Sequence, residues 1–265
     1  VVYLCGILVE KHADDEPKKK AFLVVSLVIN FSILFVFKYF NFINESIFSL
    51  LEMVGLRWNV PNLNVLLPVG ISFYTFQAVG YSIDVYRGTI KAERNFLTYA
   101  LFVSFFPQLV AGPIERAKNL LPQFHEEHRF NSYEAIEGLK QMLWGFFMKL
   151  CVADMISEYV NVVFNHVARH NGTSMIVATL FFTFQIYCDF GGYSNIAIGA
   201  ARVMGFRLME NFRLPYYSLS IKEFWKRWHI SLSSWFMDYV YIPLGGSRVK
   251  YPRYLFNLFV TFLLC

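Results

Sequence analysis

Charge is scarce in this chain. Of its 265 residues, Asp, Glu, Lys and Arg make up 16%, against about 25% in a soluble globular domain. That shortage excludes a disordered polar chain and a charge-laced coiled coil. Cysteine is scarce too. Cys5, Cys151, Cys188 and Cys265 form no CxxC pair and sit in or beside apolar runs, which speaks against a disulfide framework or a zinc site. Fifteen glycines and nine prolines, without a triplet period, exclude a collagen-like chain. There is no GxSxG elbow and no Ser-His-Asp order, so a covalent serine intermediate is not indicated. The apolar runs do not alternate with polar residues, which excludes an outer-membrane barrel.

What is abundant is apolar and aromatic: 56% hydrophobic residues, 19% Phe, Trp and Tyr, and a mean hydropathy of +0.40. These values point to an all-α, polytopic helical membrane protein forming a single membrane domain over residues 1–265. The net charge of +5 lies in loops and reads as membrane-topology charge, not as a nucleic-acid surface. Both termini read as cut. Residues 1–9 and 254–265 are apolar but short of the roughly 20 residues that cross a bilayer, and no signal-peptide pattern opens the chain.

Along the chain, residues 10–20 (EKHADDEPKKK) read as a charged loop whose lysines mark the cytoplasmic side. Residues 21–37 read as a spanning helix, and 46–56 as a shorter interfacial piece. Residues 62–86 mix apolar residues with Pro68, Gly70, Gly80 and Asp84, the pattern of a broken or re-entrant helix. An apolar segment, 95–110, ends at an Ala111-Gly112-Pro113 turn. Two long helical patterns follow, 134–167 and 174–205, and then an aromatic, basic stretch, 206–253. The glycines Gly191, Gly192, Gly199 and Gly205 suggest close helix approach. Asp84, Asp154 and Asp189 are intramembrane acids. Each is either functional or paired with a base such as Arg87 or Lys149 to fix packing.

The densest chemistry lies in 218–248, SLSIKEFWKRWHISLSSWFMDYVYIPLGGSR. Ser220 and Glu223 form a capping-box pattern that starts a helix near Ile221. On that helix Trp225, His229 and Ser233 would share a face. One reading is an interfacial helix with an aromatic belt. The other makes His229 a general base, since a histidine in an apolar segment stays neutral and accepts a hydroxyl proton. The remaining histidines are weaker candidates. His125 and His128 flank two glutamates in a solvated loop. His166 and His170 are four apart but lack a third ligand, so no metal is expected. Asn171-Gly172-Thr173 fits a glycosylation sequon.

Four stretches together carry a family resemblance: LPVGISFYTFQAVGYSIDVYRG (67–88), FFPQLVAGPIERAKNLLPQF (105–124), DFGGYSNIAIGAARVMGFRLMENFRLPYYS (189–218) and SIKEFWKRWHISLSSWFMDYVYIPLGG (220–246). In this order they resemble the membrane-bound O-acyltransferase family, in the branch of the alginate O-acetyltransferase membrane subunit. The D-alanyl transfer protein of teichoic acid modification is a more distant relative. The resemblance implies a helical fold around a tunnel in the cell membrane, multi-pass and chiefly bacterial. It implies transfer of an acyl group, usually acetyl, from a donor such as acetyl-CoA or an acylated carrier to hydroxyls of an extracytoplasmic polysaccharide. The expected partners are membrane lipid, the polysaccharide and a periplasmic or extracellular acetyl-transfer protein, with no bound cofactor. His229 matches the first of two family histidines. The second, usually regarded as the catalytic one, is expected in a helix later than any here. Trp225, Trp228, Asn195, Asp189, Tyr239 and Asp238 are the candidate site-lining or substrate-binding residues. Trp, Tyr and Asn195 offer donors for an oxyanion. The competing classes are a transporter built on broken helices and a non-catalytic membrane scaffold.

Overall fold

The computed structural model describes residues 1–56, 60–64, 66, 68–109 and 112–265. Among these, every regular element is helical. The chain forms two compact units: Val1–Ser104 with Arg116–Leu121, and Phe105–Glu115 with Pro122–Cys265.

In the first unit, α1 (Val2–Lys11) and α2 (Glu16–Leu34) leave only four residues between them. The charged stretch at 10–20 is therefore not a loop but two helix ends around a tight turn. Asp15 caps α2 by accepting from the Lys18 amide at 3.2 Å, and Pro17 sits in the first turn, where its missing N–H costs nothing. From α2 the chain passes through a π-helical turn, Phe35–Tyr39, into α3 (Phe40–Met53). The result is one 38-residue helix, Glu16–Met53, long and apolar enough to cross a membrane. The expected separate interfacial piece at 46–56 is mostly the far end of this helix. Ser46 and Ser49 do not interrupt it because each hydroxyl donates to the carbonyl four residues back.

α4 (Ile71–Tyr86) starts at Gly70, whose φ of 75° a side chain would resist. The expected broken segment is thus helical from Ile71 onward. Before it, Asn41 and Asn44 on α3 bind the backbone of Leu63 and Val60, while Val65 and Leu67 lie outside the described residues. α4 packs on α2 through a buried Ser26–Ser82 hydroxyl pair at 2.7 Å and on α1 where Gly6 meets the Tyr81 ring. α5 (Phe96–Ser104) adds Tyr99, 4.9 Å from the Tyr81 ring.

The second unit begins with α6 (Phe106–Leu109), and α7 (Ala117–Gln123) follows in the chain. Val110 and Ala111 of the expected turn lie outside the described residues. The unit's frame is a long antiparallel hairpin. One arm runs from α8 (Ser132–Phe146) through a π-helical stretch, Phe147–Asp154, into α9 (Met155–Asn165). The other is α10 (Gly172–Val203), the second helix long and apolar enough to cross a membrane. Asn171 caps α10, its side chain accepting from the Ser174 amide at 2.9 Å.

Glycines set the spacing of the hairpin. A Cβ on Gly138 would lie 2.7 Å from the Gly199 carbonyl oxygen, and one on Gly145 would lie 2.6 Å from that of Gly192. Both pairs sit seven residues apart on each arm, two turns of helix, so the backbones touch twice along one seam. The expected close approach holds for Gly192 and Gly199. Gly191 instead meets the Met148 methyl, and Gly205 (φ 88°) is a left-handed turn residue after α10 beside His128. Polar rungs flank the seam: Glu134–Arg202 at 2.6 Å, Gln141–Asn195 at 3.1 Å, and Lys149 between Asp189 at 2.7 Å and Asp154 at 2.6 Å. Asp154 and Asp189 are thus both paired with Lys149, the base expected for them. Gly145→Ala should force the arms apart and destabilise the protein by about 1–3 kcal/mol. A lowered melting temperature in detergent checks this, and an unchanged one would refute the seam.

α11 (Ile221–Arg227), α12 (Ile230–Phe236), a π turn at Met237–Tyr241 and α13 (Tyr251–Leu264) complete the unit.

Candidate functional site

After α10 the chain runs without regular helix to Leu214. Two side chains hold this segment down: Gln123 makes two bonds with the Arg207 backbone at 2.8 and 2.9 Å, and the Met209 amide donates to the Glu115 carboxylate. Asn211 is the hub that ties this segment to α10 and α12, and it is 1% exposed. Its carbonyl accepts from the Ile230 amide at 2.9 Å. Its Oδ1 accepts from the Ser231 hydroxyl at 2.9 Å and from the Ser231 amide at 3.3 Å. Its Nδ2 donates to Ser194 Oγ on α10 at 3.1 Å. The Arg213 amide donates to the Arg227 carbonyl at 2.9 Å, giving the two segments a second clasp.

This clasp breaks the helix that the sequence suggests. Ser220 does cap α11, accepting from the Glu223 amide at 3.2 Å, while the Glu223 carboxylate accepts from the Leu219 amide at 2.9 Å. The helix then stops at Arg227. Trp228 is extended, and His229 takes φ 42° and ψ 55° as the residue that starts α12. Trp225 and His229 therefore do not share a helix face, contrary to the four-residue spacing. The physical reason is competition: the Ile230 and Ser231 amides bond to Asn211 instead of to the preceding turn. Among non-glycine residues described, only Leu214 and His229 have positive φ, so local strain is concentrated on this pair of segments.

The imidazole of His229 sits among aromatic rings. Phe190 from α10 lies edge-on at 4.6 Å and Phe212 is parallel at 6.4 Å. Nε2 is shielded from solvent and has no hydrogen-bond partner among the described residues. Neither α11 nor α12 is long enough to span a bilayer, and His229 lies at their junction. Burial lowers its pKa from 6.5 to about 4, because a charged imidazole there would lose its hydration. The ring is thus a neutral imidazole in a site with little water.

The largely shielded ring makes stability depend on pH. Between pH 6.5 and 4 the unfolded chain takes up a proton at this residue and the folded chain does not. Stability contributed by the neutral ring is complete above 6.5 and falls as pH drops, by about 1.4 kcal/mol per unit. Melting temperatures at pH 7.5 and 5.0 should differ more for the natural protein than for His229→Asn. Equal differences would refute the buried neutral state.

The other candidate residues fall into four groups. Trp228 stacks on Phe224 at 5.5 Å and meets Phe212 edge-on at 5.0 Å, so it belongs to the aromatic cage next to His229. Trp225 points elsewhere, towards Phe262 of α13 at 5.7 Å. Tyr239 packs on Trp235 at 4.9 Å in the π turn that also carries Asp238. Asn195 and Asp189 use their polar atoms on the opposite arm: Asn195 with Gln141 and the Gly191 carbonyl, Asp189 with Lys149. Their chain neighbours Ser194 and Phe190 are the α10 residues that reach Asn211 and His229, because successive helix residues point about 100° apart.

Asn211, Ser194, Phe190 and Phe212 escape a reading of the sequence by pattern. Each is an ordinary residue whose role arises from tertiary pairing, and only the NF pair inside the non-helical run after α10 offers a signal. The lesser histidines resolve simply. α9 ends at Asn165, so His166 and His170 lie in a turn and not on one helix face. His128 packs on Phe206 at 4.2 Å and its Nε2 donates to the Gln123 carbonyl at 2.6 Å. All four cysteines are free thiols.

Two helices, Glu16–Met53 and Gly172–Val203, are long and apolar enough to cross a membrane. Comparison with known sequences goes further. The model of the membrane-bound O-acyltransferase family matches residues 89–265. The probable alginate O-acetylase AlgI of Pseudomonas aeruginosa is 43% identical over 263 residues, covering 99% of this chain and 50% of that protein. The peptidoglycan O-acetyltransferase of Helicobacter pylori is 34% identical, covering 93% and 51%. The teichoic acid D-alanyltransferase of Bacillus subtilis is 29% identical, covering 69% and 47%. The chain belongs to the membrane-bound O-acyltransferase family. It spans about half the length of the curated relatives it matches.

Proposed function

We propose that the protein is a multi-pass O-acetyltransferase of a bacterial inner membrane. It takes an acetyl group from a thioester on the cytoplasmic side, acetyl-CoA or an acylated carrier, and delivers it to hydroxyls of an extracytoplasmic polysaccharide such as alginate. A periplasmic or extracellular partner protein completes the delivery. The observation that carries this reading is the shielded, unpartnered Nε2 of His229, held at a strained backbone position by Asn211.

The step is a direct acyl transfer. The acceptor oxygen attacks the thioester carbonyl as its proton passes to Nε2, the C–S bond of the tetrahedral intermediate breaks, and the leaving thiolate recovers the proton. The cage of Phe190, Phe212 and Trp228 keeps water from competing for the thioester. Of the candidate donors, Trp228 lies in the cage beside His229, and its indole N–H is the one we assign to an oxyanion. Asn195 and Asp189 are assigned to holding the hairpin around the site. The test is the acetyl content of the polysaccharide from cells whose only copy of the full-length protein carries His229→Asn. Loss of acetyl with normal protein abundance supports the proposal, and unchanged acetyl content refutes it.

A further inference from the structure

At the other end of α10 from the hairpin turn lies a polar cavity of 420 Å³, none of whose lining residues belongs to the His229 cage. It is lined by Glu127–Asn131, Glu134 and Arg202–Arg207. Its charged groups are Arg129, Arg202 and Arg207 against Glu127 and Glu134. Arg202 is committed to Glu134 at 2.6 Å, and Arg129 makes only a 4.0 Å contact with Glu127, both side chains being over 90% exposed. Arg207 lines the same cavity, acts on Glu134 through space and forms no ion pair among the described residues. Its backbone is fixed by Gln123, so the side chain is presented from a rigid base. Two under-used guanidinium groups on one cavity form a fork suited to a phosphate group.

An apolar track leads away from this cavity. Phe130 on its rim is 81% exposed and Tyr133 is 66% exposed. Ile136, Leu139 and Leu143 continue along α8 at spacings of three, three and four, all exposed on one face. A phosphate cradle joined to an apolar helix face matches a molecule with an anionic head and hydrocarbon tails. The distribution of basic residues agrees. This end of the hairpin carries Arg129, Arg202 and Arg207, whereas the turn at 166–171 carries only Arg169. The excess assigns the cavity end to the cytoplasmic leaflet, where anionic lipids lie.

We propose that this cavity binds the phosphate of an anionic phospholipid, with its acyl chains along the exposed face of α8. The proposal rests on the membrane setting of the family and not on acyl transfer, so it stands or falls separately from the proposed activity. Purified full-length protein in neutral detergent is titrated with phosphatidylglycerol and with phosphatidylcholine, and thermal shifts are read. Phosphatidylglycerol should raise the melting temperature in a saturable way and phosphatidylcholine should not. Arg207→Gln and Arg129→Gln should each weaken the apparent affinity about fivefold, and Arg207→Lys should restore most of it. Both arginines are exposed, so the variants should fold normally. Equal response to the two lipids, or an undiminished response in both Gln variants, overturns the proposal. So does saturable stabilisation by coenzyme A or inorganic phosphate that phosphatidylglycerol fails to reproduce, since the phosphate would then come from a soluble ligand.

Discussion

His229→Asn in the full-length protein should lower acetyl transfer by about 10²–10⁴-fold, the range a positioned general base supplies. The choice of replacement matters because of the backbone. At φ 42° an alanine is strained, by about 1–2 kcal/mol, whereas asparagine and glycine tolerate the left-handed region. His229→Ala therefore mixes loss of the base with damage to the junction of α11 and α12. His229→Gly and His229→Asn remove the imidazole while keeping the turn. The three variants should rank Asn and Gly above Ala in melting temperature, yet all three should be equally impaired in transfer from a labelled thioester donor. Retention of more than half the activity in His229→Asn would remove His229 from the chemistry. A melting temperature for His229→Ala equal to that of His229→Asn would mean that the strain is not real.

The ranking bears on how the site was built. An unpartnered nitrogen in an aromatic cage costs stability, and so does a left-handed backbone at a bulky residue. Both costs fall on His229. Neither helps packing, since a phenylalanine in a continuous helix would pack as well. The geometry fits the proposed role, in which the imidazole faces a substrate from a fixed direction. The hairpin glycines are a different matter. Gly138, Gly145, Gly192 and Gly199 make the seam close enough for α10 to act as a rigid post, and Phe190 and Ser194 are mounted on it.

Much of the frame is legible in the sequence. Low charge, long apolar runs and the glycine spacing identify a helical membrane protein, and the Ser220–Glu223 pair correctly starts α11. The boundaries that fail do so for two reasons. Polar residues inside α3 and the charged turn at 12–15 look like loops, but Ser46, Ser49 and Asp15 satisfy backbone groups locally and keep the chain helical. Conversely, Trp228 and His229 look helical by spacing, with no Gly or Pro to warn of a break. The break is imposed by Asn211, seventeen or more residues earlier, through bonds no local pattern encodes. The candidate base was therefore found by its residue type and setting, while the residue that aims it was not.

Asn211→Ala should remove the acceptor of the Ser231 amide and hydroxyl and the donor to Ser194, leaving buried polar groups unpaired. The expected loss of stability is about 2–4 kcal/mol. Well below the lowered melting temperature, kcat for acetyl transfer should fall at least tenfold with KM for the donor little changed, because the imidazole is misdirected while the rest of the site persists. Asn211→Asp should recover part of kcat, since its carboxylate still accepts from Ser231 and the Ser194 hydroxyl can turn to donate. Ser194→Ala is the control: it deletes one bond to Asn211 but leaves both bonds from Ser231, so it should cost stability without a comparable loss of kcat. If Asn211→Ala and Ser194→Ala lose kcat equally, Asn211 merely stabilises the unit. If Asn211→Ala alone loses it, with rescue by Asp, then the clasp between residues 211–213 and 227–231 aims the base.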